Sequence, residues 1–174
     1  RRHPTLFWRG ANTGLEMYGP DWKQTPRLRL VSLAKELNQP KRFDAQLSKV
    51  LDYGDPQRAA EIKALGLVGD HVSMIDFFDH RYQIDIDGEC CAWISLFLKL
   101  YSGSTVLKVQ SDWQQWYYDR LRAWDNYIPV KKDLSDLPAL LELEESGFDA
   151  PERWSTGSWA SELSSPDRLV LISR

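Results

Sequence analysis

The chain has 174 residues, 43% of them apolar and 12% aromatic, which is ample for one packed core and too hydrophobic for a disordered chain. Its net charge of −3 divides unevenly: residues 1–42 carry nine Lys/Arg against three Asp/Glu, and residues 133–174 carry three against nine. A basic leading segment suits a phosphate-bearing ligand or is simply a solvated face, and the total is too small for nucleic-acid binding to be the default.

The first strand is expected at Leu6–Arg9, followed by the small-residue turn "RGANTG". "TPRLRLVSLAKEL" predicts a helix with Thr25 as N-cap, Pro26 at its first position and Leu30, Leu33, Ala34 and Leu37 on its buried stripe. "FDAQLS" reads as a short strand and "DPQRAAEIKALG" as a helix stopped by Gly66. "YQIDI", Tyr82–Ile86, is the next strand and ends at the acidic turn Asp87-Gly88. "CCAWISLFLKLY" is apolar on nearly every face, as a helix packed on a sheet would be, and leads through "SGS" into the strand "TVLKV". "WQQWYYDRLRAW" is expected to be helical, with Trp116, Tyr117, Leu121 and Trp124 in the core. "YIPV" is a short strand, and "DLSDLPALLELEE" opens another helix capped by Ser135. Short strands alternating with helices imply crossover units around a parallel sheet, an α/β Rossmann-like architecture over residues 1–145. Residues 146–174, rich in Ser, Gly and Pro, read as an irregular tail.

The two cysteines, Cys90 and Cys91, are adjacent, a spacing that fits neither a disulfide framework nor a metal centre and points to a reducing compartment. His3, His71 and His80 are scattered, so no metal site is expected. No phosphate loop ending in Gly-Lys-Ser/Thr, no dinucleotide fingerprint and no Gly-x-Ser-x-Gly elbow is present. No apolar run is long enough for a membrane span or a signal peptide.

Ligands of open α/β sheets bind beyond the carboxyl ends of the strands. Three segments fit that place: "RGANTG", "DGECCAW" and "YSGS". Arg27 and Arg29 stand in the first turn of a helix, where the backbone already carries partial positive charge. Either they pair with surface acids, or the helix start and an arginine fork form a diphosphate site facing the glycine turn. Asp85 and Asp87, two apart on a strand, read equally as an acid/base pair or as turn acids.

"FWRGANTG", "PRLRLVSLA", "YQIDIDGECCAWISLFLKLYSGSTVLKV" and "WYYDRLRAWDNYIPVKKDLSDL", in this order across residues 6–143, resemble glycosyltransferase family 90. That family contains bacterial lipopolysaccharide enzymes and eukaryotic protein O-glucosyl- and O-xylosyltransferases, and Trp93 and Asn126 look more like the bacterial branch. The resemblance implies the C-terminal, donor-binding half of a two-domain GT-B enzyme. Such an enzyme would transfer a sugar with inversion from a nucleotide donor, a UDP-hexose, to a hydroxyl of a lipopolysaccharide, capsule or protein acceptor, with no metal or other cofactor. Carried over by position, Gly10, Ala11, Asn12, Thr13, Gly14 and Arg27 would meet the donor diphosphate. His71, Val72 and the residues to Met74 would lie near the nucleoside, and Asp87, Gly88, Cys91, Ala92 and Trp93 would form a second donor-binding turn and helix start. The resemblance places the catalytic base in the other half, outside this chain, with Asp87 as the candidate within it. Two departures stand out: Ala11 and Asn12 replace a Ser-Arg pair of eukaryotic members, and Ile94 replaces a frequent arginine. The expected location is the cytoplasm or inner face of a bacterial membrane, or the ER/Golgi lumen in a eukaryote. The alternative reading is a nucleotide-sugar-binding module without turnover.

Overall fold

A computed structural model describes residues 2–147. The chain forms two compact units, Arg1–Leu137 and Pro138–Arg174. The irregular tail expected from residue 146 lies, from residue 148 onward, outside the described residues.

The first unit is built on five parallel strands in the order β2-β1-β3-β4-β5: β1 His3–Ala11, β2 Phe43–Lys49, β3 His80–Asp85, β4 Thr105–Val109 and β5 Ile128–Val130. Three helices supply crossovers, α1 Pro26–Leu37, α2 Pro56–Ala64 and α3 Trp93–Tyr101, and a fourth, α4 Leu137–Gly147, follows the sheet. This is the expected Rossmann-like α/β arrangement. The interior strand β1 buries Leu6, Phe7 and Trp8 in succession, so both of its faces are covered, as crossover helices require. Its register, Leu6 opposite Phe43 on one side and Tyr82 on the other, fixes which loops meet beyond its carboxyl end.

α1 starts at Pro26 as expected, and Asn38 ends it in the left-handed conformation at φ 49°. Its buried face is Leu28, Leu30, Val31 and Ala34; Leu33 and Leu37, expected on the stripe, are only half-buried. α2 is capped by Asp55, whose side chain accepts from the Arg58 amide. α4 begins two residues after Ser135, the expected cap, whose own amide donates to Asp133 Oδ1 instead.

α3 packs on β3 and β4 as expected, through Leu96 and Lys99, although Trp93, Ile94 and Tyr101 are exposed. One expectation fails. The segment read as an aromatic helix contains only the single 3-10 turn Tyr118–Arg120. Trp116 is 77% exposed and Trp124 68%, and Tyr117 and Leu121 are half-buried, so these four residues are not core. Aromatic spacing mimics helical periodicity here, but the segment is one long connection from β4 to β5 with no α-helix in it. None of the described helices is long and apolar enough to cross a membrane.

Candidate functional site

The strand order reverses between β1 and β3, because β2 lies on one side of β1 and β3 to β5 on the other. Such a switch point splays the loops leaving the two strands and opens a crevice at their carboxyl ends. The loops that leave here are Ala11–Gly14 after β1 and Ile86–Cys90 after β3.

Arg27 ties them together. Its Nε donates to the Asp87 carbonyl at 3.0 Å, Nη1 to Thr13 Oγ1 at 2.6 Å and to the Ala11 carbonyl at 3.3 Å, and Nη2 to the Ile86 carbonyl at 3.4 Å. None of these partners is a carboxylate. The guanidinium also faces the Trp8 ring, 5.6 Å from its centroid. Burial pushes its pKa down, and the nearby charges of Asp85 and Asp87 oppose that shift. The result is a half-buried cation held by carbonyl dipoles. The helix it belongs to adds to the positive field: Thr25 Oγ1 donates to the Trp22 carbonyl, and the side chain makes no capping bond to the first amides of α1. Arg29, the other first-turn arginine, points elsewhere and donates to the Asp133 carbonyl at 2.5 Å.

Three glycines here, Gly10, Gly14 and Gly88, leave no room for a Cβ. A side chain at Gly10 would strike the Trp8 indole, and one at Gly88 would strike Thr13 Oγ1 and Arg27 Cζ. Gly88 is therefore what lets the two loops close on the guanidinium. Arg27 also lines a cleft of about 180 Å³, together with Gly10, Val72, Met74, Ser95 and Lys99 among others.

The structure thus brings together Gly10, Ala11, Thr13, Arg27, Val72, Asp87 and Gly88. Other candidates are turned to different tasks. Asn12 is fully buried, donates from Nδ2 to the Leu51 carbonyl at 3.0 Å and accepts from the Leu51 amide at 2.7 Å, pinning the loop after β2. Gly14 packs against Thr25. Cys91 and Ala92 are buried, Cys91 accepting a hydrogen bond from Gln115. Trp93 is 72% exposed, its indole N–H donating to Cys90 Sγ. His71 is exposed and does not line the cleft, although Val72 does.

Asp85 and Asp87 do not form an acid/base pair on one strand face. Asp85 is 1% exposed and pairs with Lys99 Nζ at 3.0 Å; such a pair is costly to break and unavailable for proton traffic. Asp87 lies beyond the strand, accepts from Ser111 Oγ at 2.5 Å, and is held by burial above the ordinary carboxylate pKa.

Two contributors were not read from the sequence, and a third, Glu89, was placed in a donor-binding turn without its partners. Lys99 and Ser95 reach the cleft from α3, and the polar Lys99 inside an apolar helix was the available signal. Glu89 accepts from Tyr53 at 2.7 Å and Tyr18 at 3.1 Å, fastening the Gly88 turn to two other loops. No local pattern announces that contact, because its partners are 36 and 71 residues away.

Comparison with known proteins bears on this geometry. Residues 1–152 match the model of glycosyl transferase family 90. Protein O-glucosyltransferase 3 of Rattus norvegicus is 35% identical over 111 residues, 64% of this chain and 20% of that protein. Protein O-glucosyltransferase 2 of Danio rerio is 34% identical over 131 residues, 75% of this chain and 23% of that protein. Protein O-glucosyltransferase 1 of Rattus norvegicus is 28% identical over 149 residues, 86% of this chain and 34% of that protein. The chain therefore spans about a fifth to a third of the length of these relatives.

Proposed function

The chain belongs to glycosyltransferase family 90, and from that premise we propose that its parallel-sheet unit is the donor-binding half of an inverting, GT-B-type glycosyltransferase. The donor is a UDP-hexose. The acceptor is a hydroxyl: the names of the relatives favour a protein acceptor, while the resemblance to the bacterial branch favours lipopolysaccharide or capsule.

The observation that carries this reading is the Arg27 staple. A guanidinium with no carboxylate partner, bridging two loops at the switch point beside an uncapped helix start, offers positive charge where a diphosphate can approach backbone amides. In transfer, the acceptor oxygen bonds the anomeric carbon from the face opposite the diphosphate. The bond to the diphosphate breaks, and the acceptor proton passes to a carboxylate outside this chain. Charge accumulates on the leaving diphosphate, and Arg27 and the helix start are placed to stabilise it. That positive field performs the task a divalent cation performs elsewhere, so donor binding needs no metal.

The test is a thermal shift with UDP and UDP-glucose in excess EDTA. Both raise the melting temperature of the parent chain, and Arg27→Ala weakens binding by roughly 1.5–3 kcal/mol, the range for a hydrogen bond to a charged group. Arg27→Lys, which keeps the charge but not the fork, falls between. Binding that appears only with manganese or magnesium sinks the metal-free part of the reading; unchanged affinity in Arg27→Ala sinks the site. With Asp85 committed to Lys99, the chain alone binds donor without transferring sugar. Acceptor-dependent transfer by the chain alone, lost in Asp87→Asn, would place the base within it.

A further inference from the structure

Beyond the carboxyl ends of β4 and β5 opens a groove of about 430 Å³ that the donor-site reading leaves unused. Its walls are aromatic, formed by Trp113, Tyr118, Trp124 and Tyr127. Both indoles are exposed. Trp124 is held at φ 71°, a left-handed conformation that a bulky residue enters only at a cost. The turn that holds it is tied twice: the Trp124 amide donates to the Tyr127 carbonyl at 2.7 Å, and the Arg122 amide to Asn126 Oδ1 at 2.8 Å. Backbone strain is thus used to present an indole, not to hide it.

The floor is polar and unspent. Lys108 is 7% exposed; its Nζ stands 4.4 Å from the Tyr118 ring centroid, and no hydrogen-bond acceptor among the described residues holds it. The Tyr118 hydroxyl is buried with no partner among the described residues. Leaving a buried phenol unanswered costs free energy that a ligand can return, and the Lys108 ammonium beside it lines the same groove with donors to offer. Carboxylates border the same groove: Asp136 lines it, accepting from the Lys131 amide, and Asp87 reaches its lining residue Ser111. Acids beside a lysine disfavour a phosphate and suit a neutral polyol, whose hydroxyls can both donate and accept.

We propose that this groove seats a pyranose ring, with its C–H face on the indoles and its hydroxyls on Lys108 and Tyr118. The ring comes either from the donor sugar or from a glycan acceptor; only this choice of source rests on the donor-site reading. Asp87 joins the two places, since its carbonyl accepts from Arg27 and its carboxylate from Ser111.

The test is tryptophan fluorescence and calorimetry on the 174-residue chain with methyl β-D-glucopyranoside, UDP-glucose, UDP and uridine. The variants are Trp124→Gly, which removes the indole and suits the positive φ, and Lys108→Met. A pyranose-bearing probe should lose at least about tenfold in affinity in both variants, close to 1.4 kcal/mol, while UDP is unaffected. If the loss falls on the preference for UDP-glucose over UDP, the ring is the donor's. If it falls on the glucoside and spares UDP-glucose, the ring is the acceptor's. Glucoside and UDP-glucose affinities that both equal the parent's in the variants overturn the proposal. So does competition by uridine for the groove, or absence of saturable glucoside binding together with equal UDP and UDP-glucose affinities. Failure of UDP to bind anywhere would sink the donor site without touching the glucoside result.

Discussion

Gly88 is the residue on which the crevice closes, because the three atoms a Cβ would meet there, Thr13 Oγ1 and the Arg27 Cζ and Nη2, belong to the staple itself. Gly88→Ala should therefore leave the sheet intact and weaken UDP binding about as much as Arg27→Ala, read by calorimetry; unchanged affinity would mean that the loops need not meet. Asp87 gives a pH signature. Burial holds its pKa above the ordinary carboxylate value, so the folded state binds that proton more tightly than the unfolded state does. The linked stability is fully present below the unfolded pKa of about 4 and is lost as pH rises through the folded value. Asp87→Asn should accordingly match the parent's melting temperature near pH 3 and exceed it at neutral pH. A parent that is the more stable of the two at neutral pH would show that the Ser111 bond outweighs desolvation. At this scale the sequence was legible where a residue type is geometrically compelled, as at Gly10, Gly88 and Arg27. It misled where a polar side chain serves its own backbone. Asn12 sits inside a glycine turn yet spends its amide on Leu51, and much of the basic leading segment is spent in the same way, with Arg2, Arg29 and Lys35 donating to carbonyls.

Among the elements, β1, α1, β2, α2 and β3 follow from period, capping and turn residues, which act over a few positions. The aromatic segment is the failure, and the outer face of α3 shares its cause. α3 packs on the sheet as expected, but only Leu96 and Lys99 of its residues are buried. Residues 112–127 carry aromatics at helical intervals but form a long connection whose indoles face outward. In both cases hydrophobicity marks a surface with work to do, and composition alone does not separate that from a core. The distinction is measurable. Leu96→Ala, in a fully buried position, should cost about 2–5 kcal/mol in urea unfolding. Trp116→Ala, in an exposed one, should stay within about 0.5 kcal/mol of the parent. A large loss at Trp116 would restore the aromatic segment to the core.

For the molecule as a whole, the order β2-β1-β3-β4-β5 explains why residues 10–14, 27 and 86–90 meet although they are distant in sequence. The alternation of strands and helices made a parallel sheet legible. The position of the switch point was not, since strand order depends on which crossovers turn which way, and no local pattern encodes that. The same order places the aromatic groove beside the crevice, along one edge of one sheet. The donor-diphosphate site we propose is the switch-point crevice stapled by Arg27. The most direct measurement is an amide NMR titration of the isotope-labelled chain with UDP in EDTA. Saturable shifts should fall on the amides of Gly10–Gly14 and Asp87–Glu89 and on the first turn of α1, and should vanish in Arg27→Ala. Shifts confined to the amides of α2 or the outer face of α3, persisting in that variant, would contradict it.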